Sequence, residues 1–420
     1  MSLTGALNSA VSALSAQSAA LAMVSQNLAN SSTYGYKTTT ASFESLIADS
    51  SSSAYSAGGV AASGVSNIAA QGSLTASATA TNMAIEGNGF FVVGSSVTNG
   101  DIYYTRNGEF TIDKTGYLAS NGYYLQGWPT DADGNITGST SSSALKTIDT
   151  TSVSSIAAAT TSLSLQANLP ADAAVGDTFE SDVEIFDSLG TAAKTTVTWT
   201  KTAENSWTAA FSDVTDSSGS ATLATSATSN TISISFNSDG TLASTTPNPP
   251  TLSFTGWTTG AADSTITLDM GTANSSSGLS QLSSGDDTLS VSLEYDQDGI
   301  SYGTLTGIEI GDDGTVYANY DNDQRRAIYK VAVATFSNAN GLTSMSSGVY
   351  AANSVSGASS MHIAGTAGAG TISGGMLETS TTDTSQEFSN MMAAQQAYSS
   401  AAQIMSTVSS MYDTLLSAIR

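Results

Sequence analysis

The sequence contains no cysteine and few basic residues. Without cysteine, the chain can form neither disulfides nor thiolate metal sites. Its one histidine, His362, lies in a Gly, Ala and Ser stretch with no obvious catalytic partner. The many serines carry no nucleophile signal, because a catalytic serine needs an activating base. We therefore expect no catalytic residues, no bound metal and no cofactor.

The charge is strongly acidic and unevenly placed. Ten Lys and Arg stand against 35 Asp and Glu, for a net charge of −25, and no basic patch offsets it. Such a chain repels nucleic acid, so nucleic-acid binding is not expected. Residues 1–50 and 380–420 are nearly neutral, so almost all of the charge falls on 51–379. This distribution is expected if the ends are buried in an assembly and the middle meets water.

Long hydrophobic runs are also missing. No charged residue occurs from Met1 to Tyr36, but polar residues such as Ser12, Ser15 and Gln17 interrupt every apolar run. A membrane span needs about 20 mostly apolar residues, and a cleaved signal peptide needs a basic start and an unbroken apolar core. The sequence predicts no membrane insertion, and any export would use an uncleaved signal.

Both ends carry the spacing of an amphipathic helix. The first stripe repeats every seven residues: Leu7, Leu14, Leu21 and Leu28. The second keeps an alternating spacing of three and four, and its large members are Phe388, Met391, Tyr398, Met405, Tyr412 and Leu416. This spacing is typical of coiled coils. It predicts helices over 1–32 and 384–420 that pair with each other and with neighbouring copies.

The middle of the chain is typical of β-structure. A turn and an apolar strand occupy Gly87 to Val93, and Asn107-Gly108 and Asn121-Gly122 are typical hairpin turns. Polar boundaries then separate two β-rich blocks. We expect an α+β, mainly β fold with terminal helices in a coiled coil and two successive β-rich domains, the outer inserted into the inner. The predicted segments are an extended connector (33–80 and 376–383), an inner β domain (81–146 and 290–375) and an outer β domain (147–289).

Four Asp-rich segments suggest calcium at first sight: 131–135, 296–299, 312–314 and 321–323. None has the EF-hand spacing, because the glycine comes early and no glutamate closes the loop at the twelfth position. Hairpin turns are the better interpretation.

Several motifs resemble those of bacterial flagellar rod and hook proteins. The first runs from Asn27 to Lys37 and includes Asn27, Asn30, Thr33, Gly35, Tyr36 and Lys37. Others are Gly87 to Val93, Tyr104 to Gly108, and Gly375 to Glu378. Together they span nearly the whole chain. Thr381, Thr382 and Ala401 depart from the pattern at the start and middle of the second helix.

Within this family, the insertion from Asp149 to Asp287 and its Asp187-Ser188-Leu189-Gly190 turn favour the hook type over the rod type. The resemblance implies a structural subunit that self-assembles into a curved tube, a flexible joint that transmits torque from rod to filament and encloses an export channel. It also implies an extracellular location in the flagellum, and rod subunits, the hook cap and hook–filament junction proteins as partners beside other copies of the chain.

Two alternatives remain open from the sequence. One is a distal-rod-type flagellar subunit, which would form a straight polymer. The other is a secreted calcium-binding adhesin, which would need a repeated Asp/Gly unit of fixed period, and none is found.

Overall fold

The computed structural model describes residues 3–51, 54–226, 230–275, 277–285 and 289–419. Positions 1, 2 and 420, at the extremes of the predicted helical segments, lie outside the described residues. Along the chain, a long helix comes before the β-rich middle and another follows it, as the predicted fold class requires.

The elements, in chain order, have the following bounds. The helices are α1 (Leu3–Ala29) and α2 (Thr384–Ile419). The strands before the second unit are β1 (Thr39–Ser51), β2 (Ala54–Ser66), β3 (Leu74–Ala76), β4 (Met83–Glu86), β5 (Phe90–Gly94), β6 (Ile102–Thr105), β7 (Thr111–Ile112), β8 (Leu118–Ser120), β9 (Tyr123–Pro129) and β10 (Lys146–Thr147). The next strands are β11 (Ser155–Ala158), β12 (Ser162–Asn168), β13 (Thr178–Phe186), β14 (Ala192–Ala203), β15 (Ser206–Phe211), β16 (Val214–Asp216), β17 (Thr222–Ser226), β18 (Thr231–Phe236), β19 (Leu242–Thr246), β20 (Thr251–Thr255), β21 (Ser264–Asp269), β22 (Leu279–Ser280) and β23 (Leu293–Gln297). The last strands are β24 (Ile300–Ile310), β25 (Thr315–Tyr320), β26 (Arg325–Thr335), β27 (Thr343–Ser344), β28 (Val349–Ala351), β29 (Ser360–Ile363), β30 (Thr371–Gly374) and β31 (Met376–Glu378).

The chain divides into two compact units. Unit 1 comprises Met1–Ser152, Gly307–Asn319 and Arg325–Arg420, and unit 2 comprises Val153–Thr306 and Tyr320–Gln324. Unit 2 is thus inserted in the sequence of unit 1. The predicted outer domain, 147–289, falls mostly in unit 2, which begins six residues later and extends further, to Thr306. The outer position of this unit stays a prediction.

The two helices of unit 1 pack against each other through small residues. On α1 the buried residues include Ala10, Ala16, Ala20 and Val24, and the four leucines of the stripe border this face and are half-buried. On α2 the buried positions recur every seven residues: Glu387, Ala394, Ala401 and Val408. A seven-residue repeat of buried positions is the packing pattern of a coiled coil. Small side chains allow the helix axes to approach closely.

Helix α1 is also long and apolar enough, by length and composition, to span a membrane. This is weak evidence, because a core helix of a soluble protein or a signal sequence meets the same criterion.

The predicted extended connector, 33–80, differs from the structure. Strands β1 and β2 form a long antiparallel hairpin, with Thr39 opposite Ser66 and Ser51 opposite Ala54. The hairpin packs on α1, where a Cβ on Gly59 would lie 2.3 Å from the Ser12 hydroxyl oxygen. Its glycines and alanines therefore serve close packing on the helix. A connector without regular structure was the wrong prediction for this segment.

The β part of unit 1 is a mainly antiparallel sheet built on β5, β9 and β26. Strand β5 pairs with β6, β9 and β26, and it is completely buried. Phe90 of this strand packs edge-to-face on Phe336 and Tyr350. The predicted apolar strand at Phe90 to Val93 is confirmed as the centre of this core.

The two Asn-Gly pairs differ. Asn121 and Gly122 both have positive φ and join β8 to β9, as predicted for a hairpin turn. The hairpin prediction at Asn107-Gly108 is wrong, because the following residues do not pair back on β6. A Cβ at Gly108 would lie 1.5 Å from the Met83 carbonyl oxygen. The glycine is needed for this close approach of two backbones.

Unit 2 is a β domain around a single core. Its strands alternate between buried and exposed residues, most clearly in β12 and β14. The largest members of the core are Trp199, Trp207, Phe211, Phe236, Phe254 and Trp257. The Ser and Thr residues on the alternate positions leave the opposite face of the strands polar.

Three of the four Asp-rich segments form turns, but the hairpin prediction is wrong for 296–299, which is the end of β23 and a linker to β24, two strands that do not pair with each other. Asp131 accepts hydrogen bonds from the backbone N–H groups of Asp133 and Asn135. Asp312 to Gly314 connects β24 to β25, and Asp321 to Asp323 connects β25 to β26. In the part of the chain that the structure describes, no three His, Cys, Asp or Glu residues are grouped so that they could hold a metal ion.

Candidate assembly site

Two segments of the chain, which lie side by side, connect the helix pair to the β sheet of unit 1. We call this place the crossing. The first follows α1 and the second precedes α2. Gly35 N donates to the Glu378 carbonyl and Thr381 N to the Tyr36 carbonyl, at 2.8 and 3.2 Å. Six polar side chains meet around this crossing, and we call them the junction cluster: Asn27, Tyr36, Lys37, Arg106, Glu378 and Glu387.

Asn27 connects three chain segments through its side-chain amide. Its Nδ2 donates to the Thr39 carbonyl and to Glu387 Oε1, both at 2.9 Å. Its Oδ1 accepts from Tyr36 Oη at 3.0 Å and from the Thr39 backbone N–H at 3.1 Å. The residue is 1% exposed, so both ends of the amide are satisfied inside the protein. This one side chain holds α1, the start of β1 and α2 in register.

Glu378 lies between two cations in the interior. Its Oε1 accepts from Lys37 Nζ at 2.5 Å and from the Gly72 N–H at 2.6 Å, and its Oε2 accepts from Arg106 Nη1 at 3.3 Å. The three side chains are at most 2% exposed. Arg106 Nη2 also donates to the Gly87 carbonyl at 2.7 Å, and Lys37 Nζ also donates to the Ala70 carbonyl. These bonds tie both crossing segments to the β core.

Burial changes the protonation equilibria of this cluster. It lowers the pKa of Lys37 below its usual value, and the attraction of Glu378 offsets this only in part. The pKa of Arg106 is lowered by burial in the same way. Burial raises the pKa of Tyr36, and the negative charge of Glu387 adds to that rise. Taking three charged groups out of water is costly, and the cost rises sharply if any one of them loses its partner.

Gly35 is required by the geometry of the first crossing segment. Its φ is +68°, a region that other residues rarely adopt, and a Cβ there would lie 2.6 Å from the Asn107 backbone nitrogen. The motif from Asn27 to Lys37 thus places a residue without a side chain where the crossing passes over the backbone at Arg106 and Asn107.

We expect Gly35→Ala to lower the free energy of unfolding of unit 1 by about 3 kcal/mol or more, because the overlap adds to the cost of about 1–2 kcal/mol for a positive φ. Gly122→Ala is the matched control, since Gly122 has φ +84° but nothing within 4 Å of its Cβ position. Native-state hydrogen exchange of β5 measures the opening of unit 1 alone. Equal losses in the two variants would show that the close contact at Gly35 does not matter.

Asn30 and Thr33, the remaining residues named in the motif from Asn27 to Lys37, shape the turn after α1. Thr33 Oγ1 donates to Asn30 Oδ1 at 3.1 Å, and Asn30 Nδ2 donates back to the Gln26 carbonyl at 2.9 Å. These local bonds satisfy backbone and side-chain groups at the helix end. They stop the helix where the crossing must begin.

The second predicted stripe is divided between two environments. Met391, Met405 and Tyr412 are half-buried, whereas Phe388, Tyr398 and Leu416 are exposed. Other large side chains on α2 are exposed too, and the most exposed among them are Met392, Ile404, Met411 and Leu415. A single copy therefore leaves apolar surface on α2 uncovered. The assembly role of the stripes stays a prediction.

Sequence reasoning missed three members of the junction cluster: Arg106, Glu378 and Glu387. Arg106 forms its ion pair inside the chain, with Glu378. One signal was present: Lys37 is the only basic residue before Arg106, in a chain with only ten.

Family models match four successive parts of the chain. They are "Flagella basal body rod protein" at residues 7–37, "Flagellar hook protein FlgE/F/G D1 domain" at 84–172, "Flagellar basal body protein FlaE D2 domain" at 156–300, and "Flagellar basal body rod FlgEFG protein C-terminal" at 373–418. The first and last of these cover the helices and the crossing.

Relatives match this chain over nearly its whole length and nearly the whole of theirs. "Flagellar hook protein FlgE" of Escherichia coli strain K12 is 32% identical over 98% of this chain and 99% of its own length. The protein of the same name from Rhizobium meliloti is 32% identical over 99% of both chains. Among solved structures, the Helicobacter pylori flagellar hook protein FlgE2 superposes with a TM-score of 0.53 at 14% identity, over 73% of this chain and all of that one. This structural likeness supports the fold.

Proposed function

Since the chain belongs to the flagellar hook protein family, we propose that it is the structural subunit of a flagellar hook, which self-assembles into a tube through its terminal helices. The rod-type alternative is not favoured, because the FlaE D2 model matches 156–300 and the full-length relatives are hook proteins. The adhesin alternative has no support from these relatives.

The observation that carries the assembly proposal is the uncovered apolar surface of α2. Leu415 and Leu416 are 54% and 64% exposed, on a helix whose buried positions are only Glu387, Ala394, Ala401 and Val408 among the described residues. Burying apolar surface contributes about 25 cal/mol per Å², and a single chain buries little of it here. Neighbouring copies would cover these side chains. A contact between different faces that does not close on itself continues into a helical polymer.

The finer parts of the function follow from the same arrangement. The helix pair would line the tube and its channel, and the acidic, Ser/Thr-rich β units would face water. Polar, hydrated contacts between outer surfaces can exchange partners at low cost, which suits a joint that bends as it transmits torque. A structural rather than catalytic role fits a family named for the hook.

The proposed partners are other copies of the chain, rod subunits below, and the hook cap and hook–filament junction proteins above. We also propose export to the extracellular flagellum without cleavage of the first segment. Helix α1 packs on α2 and supplies Asn27 to the junction cluster, so removing this segment would remove part of the fold.

Electron microscopy of the purified chain tests this function. Concentrated protein should form hollow, curved tubes whose wall is one subunit thick. A protein that stays monomeric, or that forms only straight rods, would contradict the hook assignment. Sequencing the N-terminus of tubes isolated from cells would test the absence of cleavage.

A further inference from the structure

A groove lies between α1, β1 and α2, next to the junction cluster. Asn27 and Glu387 of that cluster are part of its lining. The groove encloses about 400 Å³. Its apolar lining includes Ala20 and Met23 of α1, Phe43 of β1, and Ala393 and Ala397 of α2, and its polar lining includes Gln17, Thr40 and Asn390. Four of the walls' side chains are thus apolar and small or flexible, and Phe43 is partly exposed at the edge. The groove is wide enough to receive large side chains from another molecule.

Glu387 supplies an unsatisfied acceptor in this groove. The residue is 5% exposed, and its Oε1 accepts from Asn27. Its Oε2 has no hydrogen-bond partner among the described residues. Leaving a buried polar atom unpaired costs about 1–3 kcal/mol, and more for a charged group. A donor that reached this oxygen as the groove was filled would remove that cost.

At the opposite end of the helix pair, α2 extends past α1. Asn27 and Glu387 are bonded, and residues 17–27 face 387–397 across the groove, so the helices run antiparallel. With the same rise per residue in both, Leu3, the first residue of α1, lies at about the level of Met411. The last turns of α2 thus extend past α1. We call residues 412–417 the tip.

The tip carries two exposed leucines beside the half-buried Tyr412 and the exposed Asp413. Leu415 and Leu416 are more than half exposed. Thr414 and Ser417 add two exposed hydroxyl groups within one turn of them. The tip lies about 35 Å along the helix axis from the centre of the groove, so it cannot reach the groove of its own chain.

We propose that the tip of one copy docks into the groove of the next copy. This rests on the proposed function, because it names the contact by which copies of the chain join. Leu415 and Leu416 fill the space between the alanines and Met23, as an amphipathic helix fills an apolar groove. A hydroxyl of Thr414 or Ser417 exchanges its intrahelical bond for one to Glu387 Oε2, and a bond to a carboxylate is the stronger of the two.

Tip and groove lie at opposite ends of one helix pair, so the contact is heterologous. Each docked copy leaves a free groove at one end and a free tip at the other. The contact therefore propagates along the assembly and does not stop at a dimer.

Cysteine cross-linking tests the proposal cleanly, because the chain has no cysteine of its own. The test variant combines Ala393→Cys in the groove with Leu416→Cys in the tip. The control combines Gln395→Cys, an exposed position on the other side of α2, with Leu416→Cys. A second test pair, Ala397→Cys with Leu415→Cys, guards against a local defect. Each variant is mixed with an equal amount of unmodified chain, so that polymers form, and is then treated with an oxidant and a short bismaleimide.

We expect the test pairs to give a ladder of dimers, trimers and longer covalent chains in polymers, at least tenfold more than the control pair. A ladder that stops at dimers would show a symmetric contact and overturn the proposal. Polymers without cross-links in either test pair would overturn it while leaving the proposed function standing. Unmodified chain that forms no polymer would instead contradict the proposed function itself.

Discussion

Glu378→Gln should lower the free energy of unfolding of unit 1 by about 3–5 kcal/mol at neutral pH, because it leaves two buried cations without an anion. Lys37 and Arg106 are nearly inaccessible to water, and Glu378 is the carboxylate that both contact. The amide of glutamine has nearly the same shape as the carboxylate and can still accept a hydrogen bond. The loss of stability therefore reports mainly the removal of the negative charge. Hydrogen exchange of β5 reports the change.

The matched control for this variant is Glu309→Gln. Glu309 pairs with Arg325 at 3.3 Å, but both side chains are close to half exposed, and such pairs contribute at most about 1 kcal/mol. The loss at Glu378 should also shrink as the pH rises. Without Glu378, the pKa of Lys37 is lowered in the folded state with no partner to offset burial, so the unfolded state binds this proton more tightly and stability increases with pH. Equal effects of the two variants, or no pH dependence, would show that the buried charges are not the cause.

Leu416→Asp should abolish polymerisation and leave both β units folded. Leu416 contributes little to the fold of a single copy, since it is 64% exposed, but a charge buried at a contact between copies costs several kcal/mol. At a cost of about 4 kcal/mol per contact, the critical concentration for assembly rises about a thousandfold. Sedimentation and electron microscopy measure the loss, and far-UV circular dichroism shows whether the fold is kept.

Ser410→Asp is the control for this prediction. Ser410 is exposed on the polar side of the same helix, and its substitution changes the net charge by the same amount. Near-normal tubes from Leu416→Asp would show that the end of α2 is not an assembly surface. Loss of tubes in both variants would attribute the effect to charge alone.

Periodicity and turn chemistry predicted the elements whose signals are local. Both terminal helices, the buried strand at Phe90 and the turn at Asn121-Gly122 follow from residues close together in sequence. The same reasoning placed unit 2 between two parts of unit 1, because polar boundaries flank a block rich in alternating strands.

Long-range packing decided what the sequence could not show. The leucine repeat of α1 indicated a helix, but its buried face is the alanine side, because α2 and the β1–β2 hairpin both approach closely there. The hairpin itself lacks apolar alternation, since its glycines and alanines are selected by contact with α1. Glu378 and Glu387 gave no signal, because their side-chain partners in the junction cluster lie between 272 and 360 residues away in the chain.

That distance along the chain also sets when the protein becomes competent to assemble. The bonds of the junction cluster join residues 341 and 360 positions apart, so they close nearly the whole chain into a loop. Unit 2 lies wholly before Glu378, whereas the β part of unit 1 includes β31 and Glu378, and the helix pair needs the last 40 or so residues. A chain delivered end-first, from either terminus, therefore gains its assembly surface only at the last step of delivery. Incomplete chains would be excluded from the polymer without any separate check on their length.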